Sequence, residues 1–424
     1  MGTIQVIFMT VLVFFVIVTI HEWGHYFFAK RAGILVREFA IGFGPKLFSI
    51  KRGETRYTLR LVPAGGFVRM AGEDPEISEV QPGQTVAVRV KDGRVTRIYL
   101  DRLDERSGVI RGEVEQIDLE RKLFIQLHVE GEAERYDVHP QALMIAKSRE
   151  TQIAPIDRQF GSKTVGQRAL AIAAGPFMNF ILAFVLFAVY IQMAGVVQDN
   201  PKHLLINSVV TGMPAEKAGL QKGDVIDTVG GIDVGTDYAK MIEIIGKSAN
   251  KPLELNIIRS GEPLSLTLTP VPDKESKAGK VGITAGYPMR SATLGETVTQ
   301  SAVTMKEVTV QIFKSFGQLI TGNFKLDDLG GPVRTAEVTG QIARQGLPSL
   351  TNWAAVLSLY LGIFNLLPIP ALDGSRLVFI GLEGLRGRPV DPARESMVHV
   401  IGFMMLMLLM LAVTYNDILR LVRG

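Results

Sequence analysis

The 424-residue sequence contains no cysteine. Disulfide bonds and thiolate metal ligands are therefore excluded. Histidine is scarce, with six residues in the whole chain. The net charge is only +4 at pH 7, with a pI of about 9.1. This modest basic excess fits loops beside a membrane better than a nucleic-acid-binding surface.

Hydrophobic residues make up 47% of the chain and are concentrated in four long blocks. A helix of about 20 apolar residues crosses a hydrocarbon layer of about 30 Å, so the blocks predict four transmembrane helices, at residues 1–30, 166–196, 352–384 and 396–420. The first block lacks a basic leader and a small-residue cleavage site, which favours a retained span over a signal peptide. The expected fold class is a polytopic α-helical membrane protein with soluble parts between its spans.

The loop after the first span predicts the orientation of the chain. Residues 30–69 contain nine Lys or Arg and two Glu. Basic loops remain on the cytoplasmic side, so we expect the N-terminus and the segment after the second span to be extracytoplasmic.

Two segments between the first two spans have strand patterns. Residues 34–72 predict a β-hairpin with its turn at Arg52-Gly53-Glu54. Its apolar residues and glycines, directly after a span, suggest that it dips into the membrane. Residues 75–160 alternate polar and apolar side chains around an Asp92-Gly93 turn, which predicts a cytoplasmic β-rich insert.

The first span contains His21-Glu22-Trp23-Gly24-His25, an HExxH motif, inside a nearly continuous apolar run. Ionisable residues in a membrane helix are costly and are functional by default. On a helix the two imidazoles share one face and can bind one zinc ion, with Glu22 placed to accept a proton from water.

Two histidines leave a zinc ion short of ligands. Asp373 is the only acidic residue well inside the third apolar block, and its depth from the start of that span matches the depth of His21 in the first. Asp373 is either the third ligand or a carboxylate at a helix end, and the matching depth favours the ligand. Pro368 and Pro370 are expected to break the helix and expose backbone carbonyls beside Asn365.

HExxH on a helix is typical of zinc metalloproteases, and three other classes of protein fit the sequence less well. A transporter rarely needs HExxH, and no inverted pair of homologous halves is visible. A membrane-anchored scaffold has no use for Glu22 and Asp373 together with both histidines. A tethered soluble metalloprotease would carry the motif on a polar helix, whereas residues 11–20 are almost all apolar.

Three stretches carry a specific resemblance to a known family: "HEWGHYFFAKRAGILVREFAIGFGPKL", "GPFMNF" at 175–180 and "NLLPIPALDGSRL" at 365–377. They resemble the site-two proteases, which are intramembrane zinc metalloproteases. The likeness is greatest to the bacterial branch that cleaves anti-sigma factors and remnant signal peptides. It covers all four spans.

The resemblance implies roles for individual residues. His21, His25 and Asp373 match the zinc ligands, and Glu22 matches the catalytic acid/base. Substrate-handling positions are implied at Asn179, Asn365, Gly42, Gly44, Pro368 and Pro370. The hairpin matches a membrane-reentrant β-element that holds substrate as an added strand. The segment "LDDLGGPV" at 326–333 resembles the family's Gly-Gly-Pro segment.

Residues 200–272 resemble one extracytoplasmic PDZ domain of the bacterial protease type, with the typical run "AGLQKGDVI". Such a domain either captures an extended peptide or acts as a steric filter against bulky ectodomains, and we slightly favour the filter. Residues 280–350 are expected to be amphipathic helices and connector. The helical pattern at 292–320 predicts a helix on the membrane surface, as either a guard of substrate access or a plain connector.

The expected function is regulated intramembrane proteolysis in a bacterial plasma membrane. The expected substrates are single-span membrane proteins that another protease has already trimmed, and no nucleic acid is expected as a partner. The active site is expected near the cytoplasmic side.

Overall fold

The computed structural model describes residues 2–73, 80–146, 149–273, 276–322 and 330–423. It divides into two compact units, which are described separately. The first comprises residues 1–187 and 302–424, and the second comprises residues 188–301.

Nine helices are found among the described residues. They are α1 (Thr3–Arg31), α2 (Val165–Ala194), α3 (Pro214–Lys217), α4 (Tyr238–Lys247), α5 (Leu294–Ile320), α6 (Pro332–Gln345), α7 (Leu347–Leu366), α8 (Asp373–Arg386) and α9 (Pro392–Arg423). Short 3-10 turns occur at Leu103–Glu105, Ile156–Arg158 and Phe160–Ser162. Four helices are long and apolar enough to cross a membrane, over Thr3–Arg31, Val165–Ala194, Leu347–Leu366 and Ala393–Arg420.

The third span is shorter than its prediction of 352–384. Helix α7 ends at Leu366, and Leu367 is extended, with φ −64° and ψ 144°. The residue before a proline is driven out of the helical region by the ring of that proline, here Pro368. The chain resumes as a separate helix, α8, whose first residue is Asp373.

The predicted hairpin is a more elaborate structure than a simple pair of strands. Strands β1 (Val36–Arg52) and β2 (Thr55–Met70) are each bent, so that residues 36–41 pair on one side with 56–59 and on the other with 66–70. The result is four segments in the order 46–52, 55–60, 36–41 and 66–70. The two outer pairs are antiparallel, whereas 36–41 runs parallel to 56–59. We call residues 36–70 the bent sheet.

The bend in β1 follows from its glycines. Gly42 and Gly44 have φ of +88° and +84°. Residues that carry a side chain seldom adopt this backbone conformation. A Cβ at Gly42 would also lie 2.7 Å from the carbonyl oxygen of Val62. The structure therefore gives these two predicted substrate-handling residues a role in folding the sheet.

The insert forms a closed sheet. Its strands are β3 (Thr85–Lys91), β4 (Arg94–Tyr99), β5 (Ile110–Asp118), β6 (Phe124–Val129), β7 (Glu132–Ala146) and β8 (Arg149–Gln152). They follow the order β4-β3-β5-β6-β7-β8, and a parallel pairing of β4 with β7 closes the sheet around a buried core of Val, Ile and Leu.

The second unit contains one six-stranded antiparallel sheet and two separate two-stranded sheets, together with α3 and α4. Its strands are β9 (Val196–Val197), β10 (Leu204–Val209), β11 (Val225–Val229), β12 (Ile232–Asp233), β13 (Leu253–Arg259), β14 (Glu262–Leu268), β15 (Val271–Pro272), β16 (Gly279–Lys280), β17 (Ile283–Gly286) and β18 (Met289–Arg290). The main order is β14-β13-β11-β10-β17. The predicted boundary at 272 is too early, because β17 pairs with β10 in the same sheet.

Helix α5 packs more closely than the prediction of an amphipathic helix on the membrane surface implies. Its residues from 302 onward belong to the first unit, and Ile312 is buried against Phe187 of α2 and Leu359 of α7. Val303, Val310 and Phe313 remain exposed. Part of its apolar face therefore packs against helices of the membrane-spanning type.

The glycines of the Gly-Gly-Pro segment mark the start of α6. Residues 326–329 of this segment lie outside the described residues, whereas Gly330 and Gly331 precede Pro332 at the first turn. The buried carboxylate of Asp417, in α9, accepts a hydrogen bond from the backbone N–H of Arg334 at 3.0 Å. A carboxylate at a helix N-terminus satisfies free N–H groups and complements the helix dipole. This contact fastens the end of α9 to α6.

Candidate metal centre

Two histidines of α1 converge because they lie four residues apart on one helical face. The Nε2 atoms of His21 and His25 are 3.3 Å apart, and both residues are buried. Their positions on an otherwise apolar helix turn both imidazoles toward the interior of the first unit.

The third member of the cluster, Asp373, lies about 350 residues later in the sequence, at the start of α8. Asp373 Oδ2 lies 3.3 Å from Nε2 of His21 and 3.4 Å from Nε2 of His25. The break between α7 and α8 makes this approach feasible, since it places Asp373 at the start of a new helix.

The three atoms have the spacing of a zinc site. Tetrahedral zinc with ligand bonds of about 2.0–2.1 Å requires its ligand atoms to be about 3.3–3.4 Å apart. The three observed separations are 3.3, 3.3 and 3.4 Å. Asp373 Oδ2 is also buried and accepts no hydrogen bond in the described structure. Three atoms that bear lone pairs and face one point at this spacing fit a shared cation.

Contacts behind the histidines orient them for this role. His25 Nδ1 lies 2.9 Å from the carbonyl oxygen of Ala171 in α2. Nδ1 must donate this bond, which leaves the lone pair of Nε2 for a metal.

His21 is oriented by Asn179, a fully buried residue of α2. The Asn179 amide nitrogen lies 3.3 Å from His21 Nδ1, and the amide oxygen has no hydrogen-bond partner. An amide rotated by 180° fits the same space. In that orientation the oxygen accepts the Nδ1 proton, which satisfies Asn179 and frees Nε2 of His21.

Helix α2 can approach the cluster because of a glycine. A Cβ at Gly175 would lie 2.2 Å from Nε2 of His25. Any side chain at this position would displace the imidazole, so glycine is required for the packing of α2 on α1.

Glu22 is buried directly beside the bent sheet. A Cβ at Gly66 would lie 2.8 Å from Glu22 Cγ and 2.7 Å from the carbonyl oxygen of Ala40. Gly66 belongs to the segment 66–70, which pairs with 36–41 on one side and, among the described residues, with no strand on the other. An unpaired strand edge therefore passes against the glutamate.

The other predicted site residues lie at varied positions. Asn365 donates a hydrogen bond to the carbonyl oxygen of Leu361, one turn earlier in α7. Pro368 and Pro370 lie in the loop before Asp373, and Pro370 packs closely on Gly402 of α9. The structure brings Asn179 to the histidine cluster, whereas the described hydrogen bond of Asn365 is made within its own helix.

Several contacts at this site carry no sequence signal of their own. The carbonyl of Ala171 belongs to the backbone, which no residue type reveals. Gly66 and Gly175 are required by their close approach to Glu22 and His25, which are far away in the sequence. A fourth residue, His399 of α9, accepts a hydrogen bond from the backbone N–H of Ala371 at 3.2 Å. It lies outside every motif described above, and the sequence analysis does not identify it.

The base of the bent sheet is clamped to the insert through Glu54, at the sheet's central turn. Arg158 forms an ion pair with both oxygens of Glu54, one of them at 2.7 Å. Gln152 donates a further hydrogen bond at 2.9 Å. The hydrogen bonds from Arg158 and then Gln152 lower the pKa of Glu54 to about 2.

Known proteins match this chain over most of its length. The model of peptidase family M50 matches residues 9–409. A zinc metalloprotease RasP from Geobacillus kaustophilus is 44% identical over 98% of each chain. The regulator of sigma-W protease RasP from Bacillus subtilis is 41% identical over 97% of each chain.

A solved PDZ domain of an SdrC-like protein from Listeria monocytogenes also matches, at 18% identity and a TM-score of 0.19, over 21% of this chain and 93% of that one.

The family match spans nearly the whole sequence, and both relatives exceed 40% identity over at least 97% of their length. The predicted family, enzyme class and zinc requirement are confirmed. This chain belongs to peptidase family M50 and is a zinc metalloprotease of the membrane.

Proposed function

We propose that this enzyme cleaves the transmembrane segments of single-span membrane proteins within the bilayer, and that anti-sigma factors and remnant signal peptides are among its substrates. One observation carries the proposal. The His21–His25–Asp373 cluster lies among helices apolar enough to span a membrane, with an unpaired strand edge beside Glu22. The printed role of the Bacillus subtilis relative, regulation of sigma-W, supports the anti-sigma-factor class.

His21, His25 and Asp373 would hold the zinc ion, with Asn179 and the carbonyl of Ala171 fixing the two imidazoles. Bound zinc supplies Lewis acidity, which polarises a carbonyl group and acidifies water.

Glu22 would act as the general base and then as the general acid. Its carboxylate takes one proton from the water molecule that attacks the scissile carbonyl carbon. The same carboxyl group delivers that proton to the amide nitrogen as the carbon–nitrogen bond breaks. Burial of Glu22 at 7% exposure keeps bulk water from competing for this proton.

The bent sheet would hold the substrate. A helical substrate hides its carbonyls in its own hydrogen bonds and must unwind before it is cut. Segment 66–70 offers main-chain groups on its unpaired side, so an unwound substrate can add as a further strand. Since Gly66 contacts Glu22, this addition brings the scissile bond to the catalytic group.

We further propose the orientation that the basic loop predicts. With residues 30–69 on the cytoplasmic side, the N-terminus and a PDZ domain at about 200–286 are extracytoplasmic. His21 then lies about 27 Å along α1 from its outer end, toward the cytoplasm. We propose that the PDZ domain is a steric filter, which makes substrates already trimmed by another protease the preferred ones.

The test compares wild type with Glu22→Gln, purified in detergent. Bound zinc and cleavage of a single-span substrate, both intact and trimmed, are measured on the same samples. We expect about one zinc in each protein and a cleavage rate at least about 100-fold lower in Glu22→Gln. The control is Glu132→Gln, the same chemical change at an exposed residue of β7.

Cleavage by Glu22→Gln at the wild-type rate would overturn the assigned role of Glu22. Failure of zinc-loaded wild type to cut any of several trimmed substrates would overturn the proposed substrate class.

A further inference from the structure

The loop that carries Asp373 contains a strained residue. Ala371, two residues before Asp373, has a φ of +74°. Non-glycine residues seldom adopt this region, and they keep it only where surrounding contacts determine it. The position of the Asp373 carboxylate therefore depends on whatever holds this loop.

Two residues of α9 make the holding contacts. His399 Nδ1 accepts a hydrogen bond from the N–H of Ala371 at 3.2 Å, directly at the strained residue. Pro370 packs closely on Gly402, and a Cβ added at Gly402 would lie 2.1 Å from Pro370 Cβ. His399 and Gly402 are three residues apart, so they share one face of α9.

The ring of His399 is itself fixed on several sides. It packs edge-on against Phe379 of α8, with centroids 5.6 Å apart. Its Nδ1 also lies 3.5 Å from the hydroxyl of Ser375. On the opposite edge, Nε2 lies 3.8 Å from Glu395, one turn earlier in α9. With only 18% of its side chain exposed, His399 cannot turn away from the loop without losing these contacts.

Few of the described residues of helix α9 are buried. Between residues 403 and 412 none of its residues is buried, whereas Gly402, Val413 and Asp417 are. The helix is therefore fastened to the loop at one end and to α6 at the other.

We infer that His399 and Gly402 are positioning residues for the zinc ligand Asp373, so that the seating of α9 on the loop sets the affinity of the metal site. This inference rests on the proposed role of Asp373 as a ligand. Neither residue touches the metal cluster. Each acts by fixing the backbone from which the third ligand projects, as outer contacts of metal ligands commonly do.

The experiment measures zinc affinity by chelator competition on the purified full chain. The variants are His399→Phe, His399→Gln and Gly402→Ala. Phe keeps the aromatic packing but has no acceptor, whereas the side-chain oxygen of Gln restores one. Gly381→Ala is the matched control, since a Cβ at this exposed residue of α8 would meet nothing within 4 Å.

We expect His399→Phe and Gly402→Ala to bind zinc about 10- to 100-fold more weakly than wild type. His399→Gln is expected to stay within about threefold of wild type, and Gly381→Ala to be unchanged. Thermal unfolding of the metal-free proteins reports whether a variant is folded. The partial rescue by Gln separates loop positioning from a general loss of structure.

Wild-type affinity in both His399→Phe and Gly402→Ala would overturn the inference, as would equal losses in His399→Phe and His399→Gln. Asp373→Asn tests the premise separately. If Asp373→Asn loses zinc while His399→Phe and Gly402→Ala bind it as tightly as wild type, only the inference fails. If Asp373→Asn keeps zinc at wild-type affinity, the proposed ligand role fails, and the inference fails with it.

Discussion

The two β structures of the first unit, the insert and the bent sheet, treat the edges of their strands in opposite ways. The insert closes its sheet through the β4–β7 pairing, so that its strands surround a buried apolar core. Among the described residues, segment 66–70 of the bent sheet has no strand partner on one side, and the sheet exposes the large apolar side chains of Phe43, Leu47, Phe48 and Leu61.

Unpaired strand edges invite association with other chains, and proteins usually cover or close them. The closed insert follows this rule, whereas the bent sheet departs from it beside Glu22. Under the proposed function, this exception is the edge to which an unwound substrate adds as a further strand. The closed insert serves as the fixed base to which the open sheet is clamped.

The largest difference between the two sheets is expected when a closely packed glycine in each is replaced by alanine. Gly66→Ala should lower the cleavage rate by about 100-fold or more, because the new methyl group displaces Glu22, and misplacement by about 1 Å can cost that much. Zinc content should be unchanged.

Gly112→Ala is the counterpart in the insert, where a Cβ would lie 2.7 Å from the carbonyl oxygen of His128. It should lower stability by about 1–3 kcal/mol and leave the rate for folded enzyme within about threefold. Equal effects of the two changes on cleavage would remove the functional distinction between the sheets.

A smaller effect is expected where the two structures are joined. Glu54→Gln removes the charge that pairs with Arg158 and should destabilise the clamp by about 1 kcal/mol after solvent screening. Hydrogen exchange should quicken around the turn at 52–55 and stay unchanged in the insert core.

The pH dependence of this clamp has a definite sign. The folded pKa of Glu54, about 2, lies below its ordinary value of 4.5. The contribution of the Glu54 carboxylate to folding stability is therefore complete above pH 4.5 and is lost as the pH falls toward 2. The difference in exchange between wild type and Glu54→Gln should shrink over that range. A difference that grows on acidification would contradict the assignment.

The smallest effect is expected from the link between α1 and the bent sheet. The hydroxyl groups of Tyr26 and Tyr57 are 2.7 Å apart. Tyr57→Phe should cost about 1 kcal/mol or less and change cleavage by less than about threefold. Tyr136→Phe, which removes the hydroxyl group that bonds to Glu134 in the insert, is the matched change. A tenfold loss in Tyr57→Phe alone would show that α1 and the sheet are coupled more tightly than this bond suggests.

Local sequence patterns predict much of the architecture. The apolar blocks locate all four candidate spans, because hydrophobic length is a property of a short window. The Arg52-Gly53-Glu54 turn is observed between β1 and β2. The cluster of His21, His25 and Asp373 follows from one helical spacing and one matching depth, and the structure brings the three together.

What the sequence does not predict depends on distant partners. The bending of β1 into two segments needs a second strand to pair with both halves. The closure of the insert is a parallel contact between strands about 40 residues apart. The end of the third span at Leu366 follows from Pro368, which is a helix breaker. The approach of Asp373 from a new helix involves contacts from α9, which the sequence does not reveal.

The open edge of segment 66–70 has a consequence for how substrates are chosen. Strand addition uses main-chain groups, which nearly all residues share, so the edge itself is almost blind to side-chain identity. Under the proposed function, discrimination shifts to the free energy of leaving the helical state. A single glycine lowers the stability of a helix interior by about 1 kcal/mol, or roughly fivefold in the unwound population. The enzyme would then sort membrane segments by the weakness of their helices rather than by a consensus sequence.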